Sequence, residues 1–168
     1  MKLETERLFL RPIQVADVAA LATLWTDPEV TRFMGGPRNY QELYKELSED
    51  TRIKPYPKFD LWPVIEKATR QVVGHCGIID KEVDGVTEFE LVYVLTKSTW
   101  GKGYATEIAT SIKDHAFKHF DLKRIIALID PMNPTSARVA TKVGLRYEKD
   151  TVRPNGKIMQ VFTLSNDG

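Results

Sequence analysis

One junction constrains this chain more than any other. An extended apolar run, Phe89 to Leu95, leads through Trp100-Gly101-Lys102-Gly103 into a long helical pattern from Tyr104 to Phe120. Paired glycines let consecutive backbone N–H groups turn toward one point with no Cβ in the way. The first turn of a helix adds unpaired donors and a positive dipole end. Strand, glycine turn and helix start in that order make an anion site suited to a phosphate-bearing ligand, and they commit the chain to packing a helix on a sheet. The same spacing also serves plain turn chemistry, so the surrounding elements must decide.

Those elements alternate in a readable order. Leu8 to Pro12 predicts a first strand ended by proline, and Asp17 to Trp25 predicts a helix with Val18, Leu21, Ala22 and Trp25 on one face. Asp27-Pro28 opens a new short element. Tyr40, Leu43, Tyr44 and Leu47 form the stripe of a second helix and read as core, with the helix ending before Pro55 and Pro57. Phe59 to Glu66, Gln71 to Asp80 and Thr87 to Leu95 read as an antiparallel meander, its last turn at Asp84-Gly85. In the long helix, Ala105, Ile108, Ala109, Ile112, Ala116 and Phe120 recur at helical spacing. Arg124 to Ile129 predicts a strand buried on both sides, and Thr135 to Val143 a short helix stopped by Gly144. Asn155-Gly156 signals a two-residue hairpin between Leu145–Glu148 and Ile158–Leu164. The order β-α-α-β-β-β-α-β-α-β-β implies an α/β fold: a mixed, largely antiparallel twisted sheet with helices on both faces.

At 168 residues the chain is expected to form a single domain over 1–168, large enough to bury a core without metal or disulfide staples. Its 24 Lys+Arg against 23 Asp+Glu leave a net charge of +1, which gives no electrostatic footprint for nucleic acid or a membrane surface. Cys76 is the only cysteine and reads as a buried, inert thiol. With no basic-then-apolar leader and no long apolar span, a cytoplasmic location is expected. His115 and His119 have the spacing of a two-histidine metal face, but no third ligand is evident and both suit a helix C-terminus, so no metal is expected.

Read together, these residues resemble the GNAT superfamily of acyl-CoA-dependent N-acyltransferases, and within it the ribosomal-protein alanine acetyltransferase (RimJ/RimL-like) branch. The similarity runs nearly end to end. Leu3-Glu4-Thr5-Glu6-Arg7-Leu8-Phe9-Leu10-Arg11-Pro12 resembles that branch's opening strand, and Leu24 to Met34 its first-helix exit. Val73-Gly74-His75-Cys76-Gly77 looks like its third strand. Trp100 to Glu107 looks like the pyrophosphate loop, Gln/Arg-x-x-Gly-x-Gly/Ala, and Asn133 to Val139 with Gly144-Leu145 resembles the Asn-x-x-Ser helix start. Trp100 stands where that pattern has Gln or Arg, which weakens the motif match more than the expected binding, since the phosphate contacts are mostly backbone N–H groups; Val92 stands where the branch often has glycine, which implies a changed substrate shape and not lost activity.

The resemblance implies transfer of acetyl from the cosubstrate acetyl-CoA to a primary amine, a protein N-terminus or a small molecule, without a metal or a covalent enzyme intermediate. Gly101, Lys102, Gly103, Tyr104, Ala105 and Thr106 would cradle the pyrophosphate, mostly through backbone N–H groups. Tyr93, Val94 and Leu95 would pair through their main chain with the pantetheine arm, and Asn133 would fix it alongside. Glu90 is the general-base candidate, since alternation puts Glu88, Glu90, Val92 and Val94 on one strand face; Glu88 competes for the role. Ser136 is the candidate proton donor to the leaving thiolate, with Tyr147 or solvent as alternatives, because Ala140 holds the position where some branches carry a tyrosine. Asn133 and Ser136 serve equally well as helix caps. Thr31 to Tyr56 would flank the acceptor mouth. The rival function is a CoA-binding regulatory or interaction module that has lost turnover; a P-loop nucleotide protein lacks its Lys-Ser/Thr pair here. A homodimer is compatible with either.

Overall fold

The computed structural model describes residues 1–167. Eight strands form one sheet: β1 (Leu3–Glu4), β2 (Leu8–Leu10), β3 (Asp60–Glu66), β4 (Val72–Val83), β5 (Val86–Leu95), β6 (Arg124–Ile129), β7 (Arg146–Val152) and β8 (Ile158–Ser165). Their spatial order is β1-β2-β3-β4-β5-β6-β8-β7, antiparallel everywhere except between β5 and β6. The helices are α1 (Val18–Thr26), α2 (Tyr40–Asp50), α3 (Tyr104–His119) and α4 (Pro134–Val143). The parallel pair follows from topology: a chain leaving β5 through α3 must return in the same direction.

Strand alternation sorts β5 between two layers. Leu91 and Leu95, with Phe89 and Tyr93 beside them, pack in the main core with Ile108, Ala109 and Ile112 of α3. Val92 and Val94 face the other way, against Leu24 and Trp25 of α1. Glu90 shares their parity, so it emerges on the α1/α2 side. On α3, Ile108, Ala109, Ile112 and Ala116 are completely buried, as their spacing predicts. The entry to α1 is held by Asp17, a buried carboxylate that accepts a two-pronged bond from Arg11 (2.6 and 3.0 Å) and the Gln14 N–H (2.8 Å). The two-pronged pairing and the main-chain donor offset the desolvation cost of burying that charge.

Several expected details are corrected. A two-residue strand, β1, precedes the expected first strand and pairs Leu3 with Leu10. Tyr40 and Tyr44 are exposed rather than core, their rings 5.9 Å apart on the outer face of α2, and Leu47 alone of that trio is buried. Strand β7 runs to Val152, beyond Glu148, and the reversal spans residues 153–157 instead of two residues, closed by Arg153 N–H to Lys157 O at 2.8 Å. Asn155 stabilises that longer loop by accepting the Lys157 N–H at 2.9 Å.

Candidate active site

The glycine turn has the conformation that its composition demands. Gly101 and Gly103 both sit at φ +80°, a left-handed region unfavourable to side chains, and Gly103 is the N-cap of α3. A Cβ at Gly101 would meet nothing within 4 Å, so the turn opens on free space. The N–H groups of Tyr104, Ala105 and Thr106 are first-turn donors with no intrahelical partner. Lys102 supplies charge beside them, its ammonium 5.8 Å from the Tyr104 ring.

A second cation stands here that sequence reasoning passed over. The Arg7 guanidinium lies 4.6 Å from the Tyr104 ring centre, and its Nη2 would be 3.5 Å from a Cβ at Gly103. Glu107 orients it, accepting from Arg7 Nε (2.8 Å), the Arg7 main-chain N–H (3.0 Å) and the Thr5 hydroxyl (2.6 Å). Burial alone would raise the Glu107 carboxyl, yet those donors hold it below its ordinary value. The Tyr104 hydroxyl donates to Glu66 at 2.6 Å, fastening the helix start to β3. Arg7 is spaced a hundred residues from Glu107, so no local pattern signals the pair.

Strands β5 and β6 meet at one register position, Glu90 opposite Ile126, and part beyond it. The Thr96 N–H bonds to Val73 O, and the Val94 carbonyl lies 3.8 Å from Cys76 Sγ; both therefore face β4. By alternation the main-chain groups of Tyr93 and Leu95 face the opening toward β6. The Leu95 carbonyl accepts the Trp100 indole N–H at 3.0 Å, which gives that half-exposed tryptophan a structural tie. Val94 is thus turned away from the opening that Tyr93 and Leu95 line.

Glu90 stands where the strands part, 7% exposed. Lys81 Nζ is 2.8 Å from its Oε1, but without hydrogen-bond alignment, leaving that oxygen without a hydrogen-bond partner. Glu88, the competing carboxylate, is gripped by Arg124 Nε at 2.9 and 3.2 Å, and the same guanidinium holds Glu148 at 2.7 Å. Beyond Glu90 the wall is apolar: Val92 belongs to a cluster with Leu24, Trp25 and Val94, against which Val30, Met34, Leu61 and Ile79 pack. Met34 comes from the segment expected to flank the acceptor, and Val30 directly precedes it. Under residues 51–59 a separate cavity of about 30 Å³ is lined by Asp50, Asp60, Trp62 and His75 among others.

At the α4 end, Asn133 Oδ1 caps the helix by accepting the Ser136 N–H at 3.2 Å. The Ser136 hydroxyl is 3.0 Å from the Tyr93 hydroxyl, which also donates to the Ser136 carbonyl at 2.9 Å. Burial pushes the Tyr93 phenol up to about 12. Capping therefore falls to Asn133, and the Ser136 hydroxyl is left for β5. Tyr147 lies on the edge strand, exposed, with its hydroxyl donating to Asp150 at 2.9 Å. Cys76 is fully buried, and burial raises its thiol to about 12. His115 and His119 stack 4.6 Å apart, and among the described residues no group of three His, Cys, Asp or Glu could hold a metal. No helix among them is long and apolar enough to cross a membrane.

Residues 7–146 match the acetyltransferase (GNAT) domain family. The chain belongs to that family. The N-acetyltransferase p20 of Bacillus licheniformis is 30% identical over 176 residues, covering 97% of this chain and 94% of its own. A GNAT-family acetyltransferase of Bacillus anthracis superposes with a TM-score of 0.80 at 26% identity, covering 98% of each chain. The ribosomal-protein-S5-alanine acetyltransferase of Vibrio fischeri shares the fold at a TM-score of 0.79 and 19% identity, over 99% of this chain and 97% of that one. This acetyltransferase therefore has the GNAT fold, with its glycine turn and parting strands within the matched region.

Proposed function

We propose that this acetyltransferase moves acetyl from acetyl-CoA directly to a primary amine, with Glu90 as general base, and that it lies in the RimJ/RimL-like branch. The observation that carries the reading is Glu90 itself: a buried carboxylate at the parting of β5 and β6, with one oxygen lacking a hydrogen bond. Its rival Glu88 is committed to Arg124. The end-to-end motif similarity supports the branch, and the glycine turn supports the cosubstrate, since Gly101 faces open space beside first-turn donors and Lys102.

The backbone N–H groups at 101–106, with Lys102 and Arg7 as flanking charges, would hold the pyrophosphate. Tyr93 and Leu95 would offer main-chain groups to the pantetheine arm, with Asn133 fixing the start of α4 beside it. Acetyl-CoA supplies an activated thioester. Amines with pKa values of about 8 to 10.4 are protonated at neutral pH, so attack needs a proton acceptor. Glu90 takes that proton, directly or through water, which frees the nitrogen lone pair; the N–C bond then forms as the C–S bond breaks. The Tyr93 N–H would donate to the carbonyl oxygen as charge builds. Ser136, backed by the Tyr93 phenol, returns a proton to the thiolate.

Glu90→Gln keeps the shape and removes the base. Turnover should fall by a factor on the order of 10²–10⁴ with acetyl-CoA affinity retained, and the loss should shrink as pH rises and the free amine deprotonates unaided. A wild-type rate across that pH range would overturn the assignment. Tight acetyl-CoA binding with no CoA release to any amine would favour the regulatory module instead.

A further inference from the structure

The charges around Glu90 form a pattern that selects among amines. Lys81 on β4 places its ammonium 2.8 Å from Glu90 Oε1, while the carboxylate is nine-tenths buried and that oxygen has no hydrogen bond. The nearby acids Glu88 and Glu148 are both bound by Arg124, so this face presents one buried negative charge with a cation next to it. A polyamine would set its first ammonium on Glu90 and meet Lys81 and Arg124 with the rest. A peptide N-terminus would offer Lys81 only an amide carbonyl. The walls at Val92, Ile79 and Met34 are apolar.

Resting on Glu90 as the site of the amine, we infer that the acceptor is a zwitterionic α-amino acid with an apolar side chain, its carboxylate held by Lys81 and its ammonium by Glu90. Across N–Cα–C–O, the two ends of such a molecule are about 3 Å apart, the scale of the gap between Lys81 Nζ and Glu90 Oε1. The acceptor thus swaps partners with the ion pair: each of its ends meets the opposite charge, and Oε1 gains the missing donor. The side chain extends over Val92, whose bulk sets its shape.

Acetylation then dissolves the arrangement. Glu90 takes one ammonium proton and passes it to water, the freed nitrogen lone pair bonds to the acetyl carbon, the C–S bond breaks, and the departing thiolate takes up a second proton lost from the nitrogen. The product has a neutral amide where the ammonium was. It no longer competes with Lys81 for Glu90, and re-formation of the ion pair helps expel it.

The test compares phenylalanine, phenylalaninamide and spermidine by CoA release at saturating acetyl-CoA, using wild type, Lys81→Met, Lys81→Arg and Glu90→Gln. Wild type should prefer the acid, and Lys81→Met should cut the acid-to-amide ratio of kcat/KM by about 10–100-fold, chiefly through KM for the acid. Lys81→Arg, which keeps the charge, should restore much of the ratio. Equal losses for acid and amide in Lys81→Met would mean that Lys81 merely positions Glu90, and would overturn the inference. So would a wild-type preference for the amide or spermidine, or no turnover of any of the three. A wild-type rate in Glu90→Gln would instead strike the base assignment, which separates the two failures.

Discussion

Buried beside Trp25, His75 accepts the indole N–H on Nδ1 at 3.0 Å, which requires that nitrogen to be unprotonated. Burial, opposed by a hydrogen bond with the Leu61 main chain, lowers its pKa from 6.5 to about 4. The unfolded chain binds a proton below 6.5 and the native chain does so only near 4. The stabilisation from neutral His75 is thus complete above pH 6.5 and lost as pH falls toward 4, by up to about 3 kcal/mol. Urea titrations from pH 7.5 to 4.5 should show a shallower pH slope for His75→Gln than for wild type; equal slopes would refute the account. The sequence marks His75 only as part of a strand motif, because its role comes from Trp25, fifty positions away. The same holds for Lys81 at Glu90 and Arg7 at Gly103. Glu90 stands out in the sequence as a candidate because a carboxylate in an apolar strand breaks a local pattern, whereas its neighbours from other strands break none.

The glycine turn and α3 were legible for a related reason: the requirement for positive φ is written in the residues that meet it. Gly103→Val combines a strained φ with a branched side chain beside Arg7 Nη2, on the face proposed to hold the pyrophosphate. It should cost about 1–3 kcal/mol of stability and weaken acetyl-CoA at least about tenfold by calorimetry on the folded variant. Unchanged affinity would remove this turn from the binding site. Strand β7 was less legible. Its residues 146–150 are exposed, and of the segment Thr151 alone is buried, so no hydrophobic alternation announces where it ends. Helix α2 misled in the opposite sense, since Tyr40 and Tyr44 keep helical spacing with Leu47 yet lie on the rim, where aromatic rings tolerate water.

At the scale of the molecule, the far tip of the β4–β5 hairpin is tied to β7. The buried Thr151 hydroxyl donates to Asp84 at 2.7 Å, Lys149 pairs with the same carboxylate at 2.9 Å, and Arg153 donates to Glu82 O at 3.1 Å. Nearby Val83, Ile126 and Val161 form a small core of their own, with Leu128 packed against it. Thr151→Val keeps the volume and loses the bond. It should cost about 1–3 kcal/mol in a denaturant titration and speed hydrogen exchange at 82–86, with acetyl-CoA affinity unchanged. Exchange as slow as in wild type would show that the tie carries no load. The parting of β5 from β6 has a mechanical meaning as well. One half of the sheet, β1 to β5, and the other, β6 with β8 and β7, share backbone pairing at Glu90 and Ile126, with the Arg124–Glu88 ion pair and the ties at this tip crossing the same junction. A ligand whose amides engaged the open strand edges would be mortar between two slabs, so loading the acyl donor would at the same stroke stiffen the sheet.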